Sequence, residues 1–344
     1  MKRVDWSPAL TLPDRPRVTA LGAFDGVHLG HAKTIQAMRR IARTHDAEAT
    51  ILTFDPGPRE FNGGDRLPGR RLTPLDEQLF YLRRLGVDLV VVFEFPGEIH
   101  AVEPEEFVRD VLVAQFSTVH VVASLTHRFG YRGSGDIHLL QKLGDELGFG
   151  VDILEPVLIG AERVSSTRIR DLLEEGEVHE AGGLLGRPYA IHAPVMTGRG
   201  MGRQIGYPTA NLQIPPEKIL PRDGVYSGLA GVVDSDDYET MEQTRGAAIN
   251  VGLAPTVRDE ERVVEVHVIG EHCDFRGKSL KVEFLRWLRA EEEFEDLKSL
   301  SKQIGIDTER AAAIAQAPLT AEMRQFQRMC TTDHVIRRSD RDIL

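Results

Sequence analysis

Gly22-Ala23-Phe24-Asp25-Gly26-Val27-His28-Leu29-Gly30-His31 decides the fold of this chain. The apolar segment Val18 to Leu21 before it reads as a strand, and Ile35, Met38, Ile41 and Ala42 after it recur at helical spacing up to Thr44. A strand therefore feeds a glycine-rich turn, and the turn opens a helix. Backbone N–H groups at a helix start attract phosphate. Gly26 and Gly30 let a ligand approach the backbone closely, with two histidines at the mouth.

Composition narrows the function classes. The chain has 344 residues, a length that suggests two domains. Its 53 acidic and 42 basic residues give a formal charge of -11, which argues against a generic nucleic-acid surface. Cys273 and Cys330 have no metal-like spacing, so a reducing compartment is expected. The N-terminus has no signal-peptide pattern and no apolar run approaches the ~18 residues of a membrane span. A cytoplasmic protein is expected, with no nucleic-acid or membrane partner, as a monomer or weak homo-oligomer.

Outward from the turn, Met1 to Pro16 reads as a polar lead-in. Strands are expected at Thr50–Phe54, Leu89–Phe93, Val119–Ala123 and Val151–Leu154, alternating with helices at Leu75–Leu85, Pro104–Val113 and Asp136–Leu147. Apolar runs separated by amphipathic helices give a parallel sheet covered on both faces, with ligands beyond the strand C-termini. Val164-Ser165-Ser166-Thr167-Arg168-Ile169-Arg170 opens a further helix. Its hydroxyls would serve as an N-cap alone, but with two arginines they also make a phosphate clamp.

His28-Leu29-Gly30-His31 resembles the H-x-G-H signature of nucleotidylyltransferases. The order GAFDGVHLGH, TFDPGPRE, RLTPLDEQ, VSSTRIRDLL is similar to the N-terminal module of prokaryotic FAD synthetases, which are bifunctional riboflavin kinase/FMN adenylyltransferases. The resemblance implies a Rossmann-like α/β domain over residues 1–186 that transfers AMP from ATP to FMN. It implies that His28 and His31 hold the ATP phosphates, within a phosphate-binding turn that includes Gly22, Phe24, Asp25 and Gly30. Ser165, Ser166, Thr167 and Arg168 would clamp the phosphates from the other side. Histidine suits this work because it donates hydrogen bonds and titrates near neutrality. Two stretches depart from the family pattern: Gly57 stands in place of a histidine, and Ala123–Gly130 does not align with the family's flavin-pocket segment. An alternative therefore keeps only the kinase active, with the N-terminal module regulatory or acting on a substrate other than FMN.

A helix over Leu172–Leu185 is expected to end at Gly186, where Arg187-Pro188 breaks the pattern. Short strands follow at Tyr189–Thr197, Gly224–Val233, Arg245–Asn250, Arg262–Ile269 and Ser279–Arg286, the pattern of a small antiparallel barrel. A helix is expected over Glu293–Ile304, with Phe294, Leu297, Leu300 and Ile304 on one face. Gly198-Arg199-Gly200-Met201-Gly202-Arg203-Gln204-Ile205-Gly206-Tyr207-Pro208-Thr209-Ala210-Asn211 opens as a glycine-rich loop able to wrap phosphates. Thr209 and Asn211 are two apart on an extended segment, so they face one side, and both offer oxygens suited to Mg²⁺.

This string resembles the riboflavin kinase module of the same family, here expected over 187–316. The resemblance implies that Glu265 is the general base on the riboflavin hydroxyl and that Thr209 and Asn211 bind Mg²⁺. Gly198, Gly200, Gly202, Gly206, Pro208 and Arg289 would contact ATP and the flavin. By the same resemblance, ATP is co-substrate, riboflavin and FMN are substrates, and FMN and FAD are products. Residues 317–344 show no sustained period and read as a flexible tail.

Overall fold

The computed structural model describes residues 1–57, 61–62, 65–66, 71–95, 97–197, 201–233, 238, 241–255, 260–271 and 274–330. They divide into two compact units. One is Met1–Ser165 with Phe326–Leu344, described as far as Cys330; the other is Ser166–Gln325.

The first unit runs β1 (Lys2–Asp5), β2 (Arg17–Leu21), α1 (Leu29–Thr44), β3 (Glu48–Asp55), the minimal pair β4 (Phe61–Asn62) and β5 (Asp65–Arg66), then α2 (Leu75–Arg84) and β6 (Leu89–Glu94). It continues with α3 (Pro104–Glu106), which widens into a π-helical stretch over Phe107–Gln115. Then come β7 (Thr118–Ser124), α4 (Ile137–Leu147), β8 (Gly150–Leu154) and a second minimal pair, β9 (Leu158–Ile159) with β10 (Glu162–Arg163). Six strands form one parallel sheet in the order β1-β6-β3-β2-β7-β8. β2 is central, and Val18, Thr19 and Ala20 are wholly buried. The polar member is satisfied, because the Thr19 and Thr118 hydroxyls lie 3.0 Å apart. Ile35 and Met38 bury the apolar stripe of α1 in the same core. The order reverses at β2: the chain passes to β3 on one side, and β7 later takes the other. Ligand crevices in such sheets open at that reversal, beyond the strand C-termini. The turn from Gly22 to His28 leaves β2 there.

Expectations for this half hold for the sheet, with one correction. Residues 2–5 are not a lead-in but the edge strand β1, paired in parallel with Leu89–Val92. An edge strand with charged, exposed positions shows little apolar periodicity.

The second unit opens with α5 (Ser166–Glu175) and α6 (Val178–Leu185). The single helix expected over 172–185 is broken at Gly176, whose φ of +90° suits glycine. Both helices belong to the second unit, and α6 packs on the barrel. β11 (Tyr189–Met196), α7 (Met201–Gln204), β12 (Ala210–Leu212), β13 (Gly224–Val233), β14 (Glu242–Pro255), β15 (Glu260–Val268) and β16 (Ser279–Arg289) follow. The six strands close a barrel in the order β11-β12-β15-β14-β13-β16. α8 spans Leu297–Ala315 rather than starting at Glu293: Asp296 is its N-cap and accepts from the Ser299 N–H. Phe294 thus precedes the helix, and Leu297 is half exposed rather than on a buried face.

The tail also differs from expectation over its described part. Met323, Phe326 and Cys330 are buried, and a helical turn covers 325–330. Met323 fits against Gly182 of α6, where a Cβ would meet its methyl at 2.7 Å. Met323, Phe326 and Cys330 stand at i, i+3 and i+7, the spacing of one helix face, but the pattern is too short to show as a sustained period along the tail.

Candidate functional site

The turn after β2 is held from within. Asp25 is nearly buried, and its carboxylate accepts from the backbone N–H groups of Leu72 and Thr73, each at 3.0 Å to Oδ1. Thr73 Oγ1 in turn accepts from Gly26 N at 2.9 Å. Phe24, Gly26 and Val27 all have positive φ, a conformation only glycine adopts freely, and these contacts hold it in place. Asp25 is thus a brace of the turn.

His28 caps α1. Its Nδ1 accepts from the His31 N–H at 3.2 Å, so in the neutral ring the proton is on Nε2. The two imidazoles stack at 3.6 Å with planes 13° apart, and Phe24 lies 5.0 Å from His31. Gly30 leaves the His28 ring its place: a Cβ would stand 3.0 and 3.1 Å from that ring, close enough to displace it slightly. The sequence-based residues Gly22, Phe24, Asp25, His28, Gly30 and His31 therefore form one cluster at the sheet's C-terminal edge. Ser165 ends the first unit, whereas Ser166, Thr167 and Arg168 open α5 in the second.

Two residues of this cluster were not among the sequence candidates. Thr73 is one; Gln78 is the other. Fully buried on α2, Gln78 donates through Nε2 to the Ala23 carbonyl at 2.9 Å and to Thr53 Oγ1 at 3.2 Å. The only signal for either was membership of the stretch RLTPLDEQ. Near the end of β7, His127 stacks on Phe129 with a centroid separation of 6.1 Å. Its Nε2 is shut from solvent and has no hydrogen-bond partner among the described residues, and burial pushes the imidazole down to about 4.

In the barrel, β12, β15 and β14 bring the second cluster together. Asn211 and Asn250 are both register partners of Glu265, so the three side chains stand in a row on one face. Thr209 lines two cavities. One, of about 240 Å³, also contains Asn250, Glu265, His267, Arg289 and Asp307. The other, of about 120 Å³, contains Met196, Thr197, Pro208, Asn211 and Phe275. Arg276 and Asp274 pair at the edge of the second cavity, and hydrogen bonds from Arg276 hold the Asp274 carboxyl well below its usual range.

His267 donates from Nδ1 to the Pro208 carbonyl at 2.9 Å, fixing the chain just before Thr209. Gly202 belongs to α7, where a Cβ would collide with the Tyr207 carbonyl; Gly206 has φ of +86°. Gly198 and Gly200 lie outside the described residues. Arg289 lines the larger cavity, with its Nε and Nη2 on Asp307 Oδ2 at 2.9 and 2.8 Å, and Gln303 donates to the other carboxylate oxygen at 3.1 Å. Its guanidinium is thus a fixed wall. Asn250 and His267 fall inside the expected strands Arg245–Asn250 and Arg262–Ile269 without standing out there; cross-strand register shows their proximity, and spacing along the chain does not.

Comparison with known proteins agrees with this division. The FAD synthetase model matches residues 11–168 and the riboflavin kinase model matches 185–315. A bifunctional riboflavin kinase/FMN adenylyltransferase of Listeria monocytogenes is 32% identical over 87% of this chain and 93% of its own length. This chain belongs to that bifunctional family. Members from Escherichia coli K12 and Bacillus subtilis are 33% and 31% identical, each over 86% of this chain and 91% of the relative. A crystal structure described as a macrolide-efflux protein from Streptococcus pneumoniae is 27% identical, with a TM-score of 0.79 over 90% of this chain and 98% of that one. No described helix of this chain is long and apolar enough to cross a membrane.

Proposed function

We propose that this chain makes FAD from riboflavin in two ATP-dependent steps, the barrel forming FMN and the α/β unit adenylylating it. The observation that carries the reading is the Asn211–Glu265–Asn250 row beside Thr209, a residue common to both barrel cavities. A nucleotide in one cavity and riboflavin in the other would meet at Thr209.

In the first step Glu265 takes the proton from the riboflavin 5′-hydroxyl. That oxygen bonds to the γ-phosphorus of ATP as the bond to the bridging oxygen breaks, and ADP leaves. Such a base contributes about 10²–10⁴-fold. The Thr209 hydroxyl and Asn211 amide oxygen are hard, neutral donors on one side of the chain, and they fit Mg²⁺ that completes its shell with phosphate oxygens and water. Bound there, Mg²⁺ would neutralise phosphate charge. Among the described residues no group of three or more His, Cys, Asp or Glu forms a metal cage, in keeping with a metal held largely by its nucleotide.

In the second step an FMN phosphate oxygen bonds to the α-phosphorus of ATP and pyrophosphate leaves. No base is required, because the attacking phosphate is already anionic. The chain contributes alignment and donors: the first turn of α1 and the His28 and His31 rings. Taken by themselves, the hydroxyls of Ser166 and Thr167 and the guanidinium of Arg168 at the start of α5 are a set whose chemistry suits phosphate. We place the enzyme in the cytoplasm, as a monomer or weak homo-oligomer.

The test is a time course with riboflavin, ATP and Mg²⁺, the flavins being separated by chromatography. FMN should appear before FAD. His28→Ala should halt at FMN, and Glu265→Gln should form almost no FMN yet convert added FMN to FAD. Absence of FAD from the unaltered protein would refute the second activity, and absence of FMN the first.

A further inference from the structure

The described end of the chain does more than fill space. After α8 the chain leaves the second unit at Gln325, and Phe326 enters the core of the first. Phe326 is 3% exposed and Cys330 4%, and both belong to the apolar cluster that joins α1, α2 and the sheet. The Phe326 ring meets Tyr81 of α2 edge-on, with centroids 5.4 Å apart. The matched riboflavin kinase segment ends at residue 315, so this contact lies beyond it.

Tyr81 is three residues from Gln78, so the two are neighbours along one side of α2. Gln78 holds the Ala23 carbonyl, inside the phosphate-binding turn, and the Thr53 hydroxyl of β3, which donates to that same carbonyl at 3.1 Å. The same helix is entered through Leu72 and Thr73, whose backbone N–H groups hold Asp25. One unbroken series of contacts thus runs from Phe326 through Tyr81 and α2 to the backbone of the Gly22–His31 turn. A packed aromatic pair restricts where a helix can lie, because cores tolerate little change in volume.

We infer that Phe326 is a positioning residue for adenylyl transfer: the C-terminal segment fixes α2, and α2 fixes the turn that binds the nucleotide phosphates. The inference rests on the proposed FMN adenylylation at that turn. The flavin kinase site draws on none of these contacts. The end of the chain, beyond the kinase segment, therefore serves the reaction of the first unit.

The experiment uses the full chain and measures both reactions separately, FMN to FAD and riboflavin to FMN. Phe326→Ala should lower kcat for FAD formation by about tenfold, as a small displacement of aligned groups does, with the FMN KM and the kinase rate within about twofold of the unaltered enzyme. Phe326→Leu, which keeps most of the volume, should recover most of that kcat. Gln78→Leu should lower the same kcat, and the double variant should be no worse than the poorer single one, as expected for residues acting along one path. Circular dichroism at the assay temperature establishes that each variant is folded, and if Phe326→Ala is not, Phe326→Val, which removes less of the ring's volume, takes its place in every comparison. A folded Phe326→Ala with unchanged kcat, a parallel loss of both activities, or independent effects of Gln78 and Phe326 would each overturn the inference. An unaltered chain that makes no FAD would instead refute the adenylylation on which it rests.

Discussion

Gly30 separates the requirements of folding from those of chemistry. It lies in the first turn of α1, where alanine would stabilise a helix by up to about 1 kcal/mol. Yet its Cβ would press on the His28 ring at 3.0 Å, a contact that obliges the imidazole to shift. Gly30→Ala should therefore leave thermal stability unchanged or slightly raised, while FAD formation falls by about tenfold or more and FMN formation is untouched. Paired melting curves and flavin assays check both halves. His127 supplies a pH effect of definite sign. Burial holds its imidazole at about 4, below the ordinary 6.5 of an unfolded chain. Above pH 6.5 the ring is neutral in both states and costs nothing. Between pH 6.5 and 4 the unfolded chain takes up the proton first, so stability falls as pH falls. The loss between pH 7 and 5 should be about 2 kcal/mol. His127→Phe should remove that part of the slope. Denaturant unfolding of the first unit, followed by Trp6 in a Trp287→Phe background, would show it; equal slopes in both proteins would contradict it.

At the scale of elements, α8 is fastened to the barrel by a buried ion pair. Asp307 is almost wholly enclosed and receives two hydrogen bonds from Arg289 and one from Gln303. Removing one partner of such a pair leaves the other charge uncompensated, at a cost of about 3 kcal/mol or more. Asp307→Leu should destabilise the second unit by that amount and release Arg289 as a wall of the larger cavity, so the riboflavin KM should rise. Differential scanning calorimetry and kinase kinetics measure the two effects. Sequence patterns were informative wherever an element carried its own signal. The strand–turn–helix at 17–44, the strands β3, β6, β7 and β8 and five of the six barrel strands carry apolar runs of their own, whereas β12, a three-residue strand with only Ala210 and Leu212 apolar, was not expected. β1 was obscure because an edge strand needs little apolar surface. The break between α5 and α6 depended on one positive φ at Gly176, and the start of α8 on the cap at Asp296. The candidate sites divide in the same way. His28 and His31 announce themselves by close spacing, whereas Gln78, Thr73, Asn250 and His267 reach their sites through tertiary contacts and strand register. Phe326 was hidden most completely, because its partner Tyr81 lies far from it in the chain.

For the whole molecule, the division into two units has a kinetic consequence. The Asn211–Glu265–Asn250 row lies wholly within Ser166–Gln325, and the Gly22–His31 turn wholly within Met1–Ser165. Neither set of side chains includes a residue of the other. A chain disabled at one site should therefore keep the other, provided that the structural elements stay intact. His28→Ala protein alone should stop at FMN, and Glu265→Gln protein alone should leave riboflavin almost unconverted. Mixed in equal amounts with riboflavin, ATP and Mg²⁺, the two should make FAD together, because FMN released by one chain is a substrate for the other. FAD should appear after a lag in which free FMN accumulates, and the lag should shorten as Glu265→Gln protein is added. Complementation with that lag means that FMN passes through solution. If each variant retains its single remaining activity and the mixture still makes no FAD, FMN stays bound to the chain that formed it and does not pass through solution.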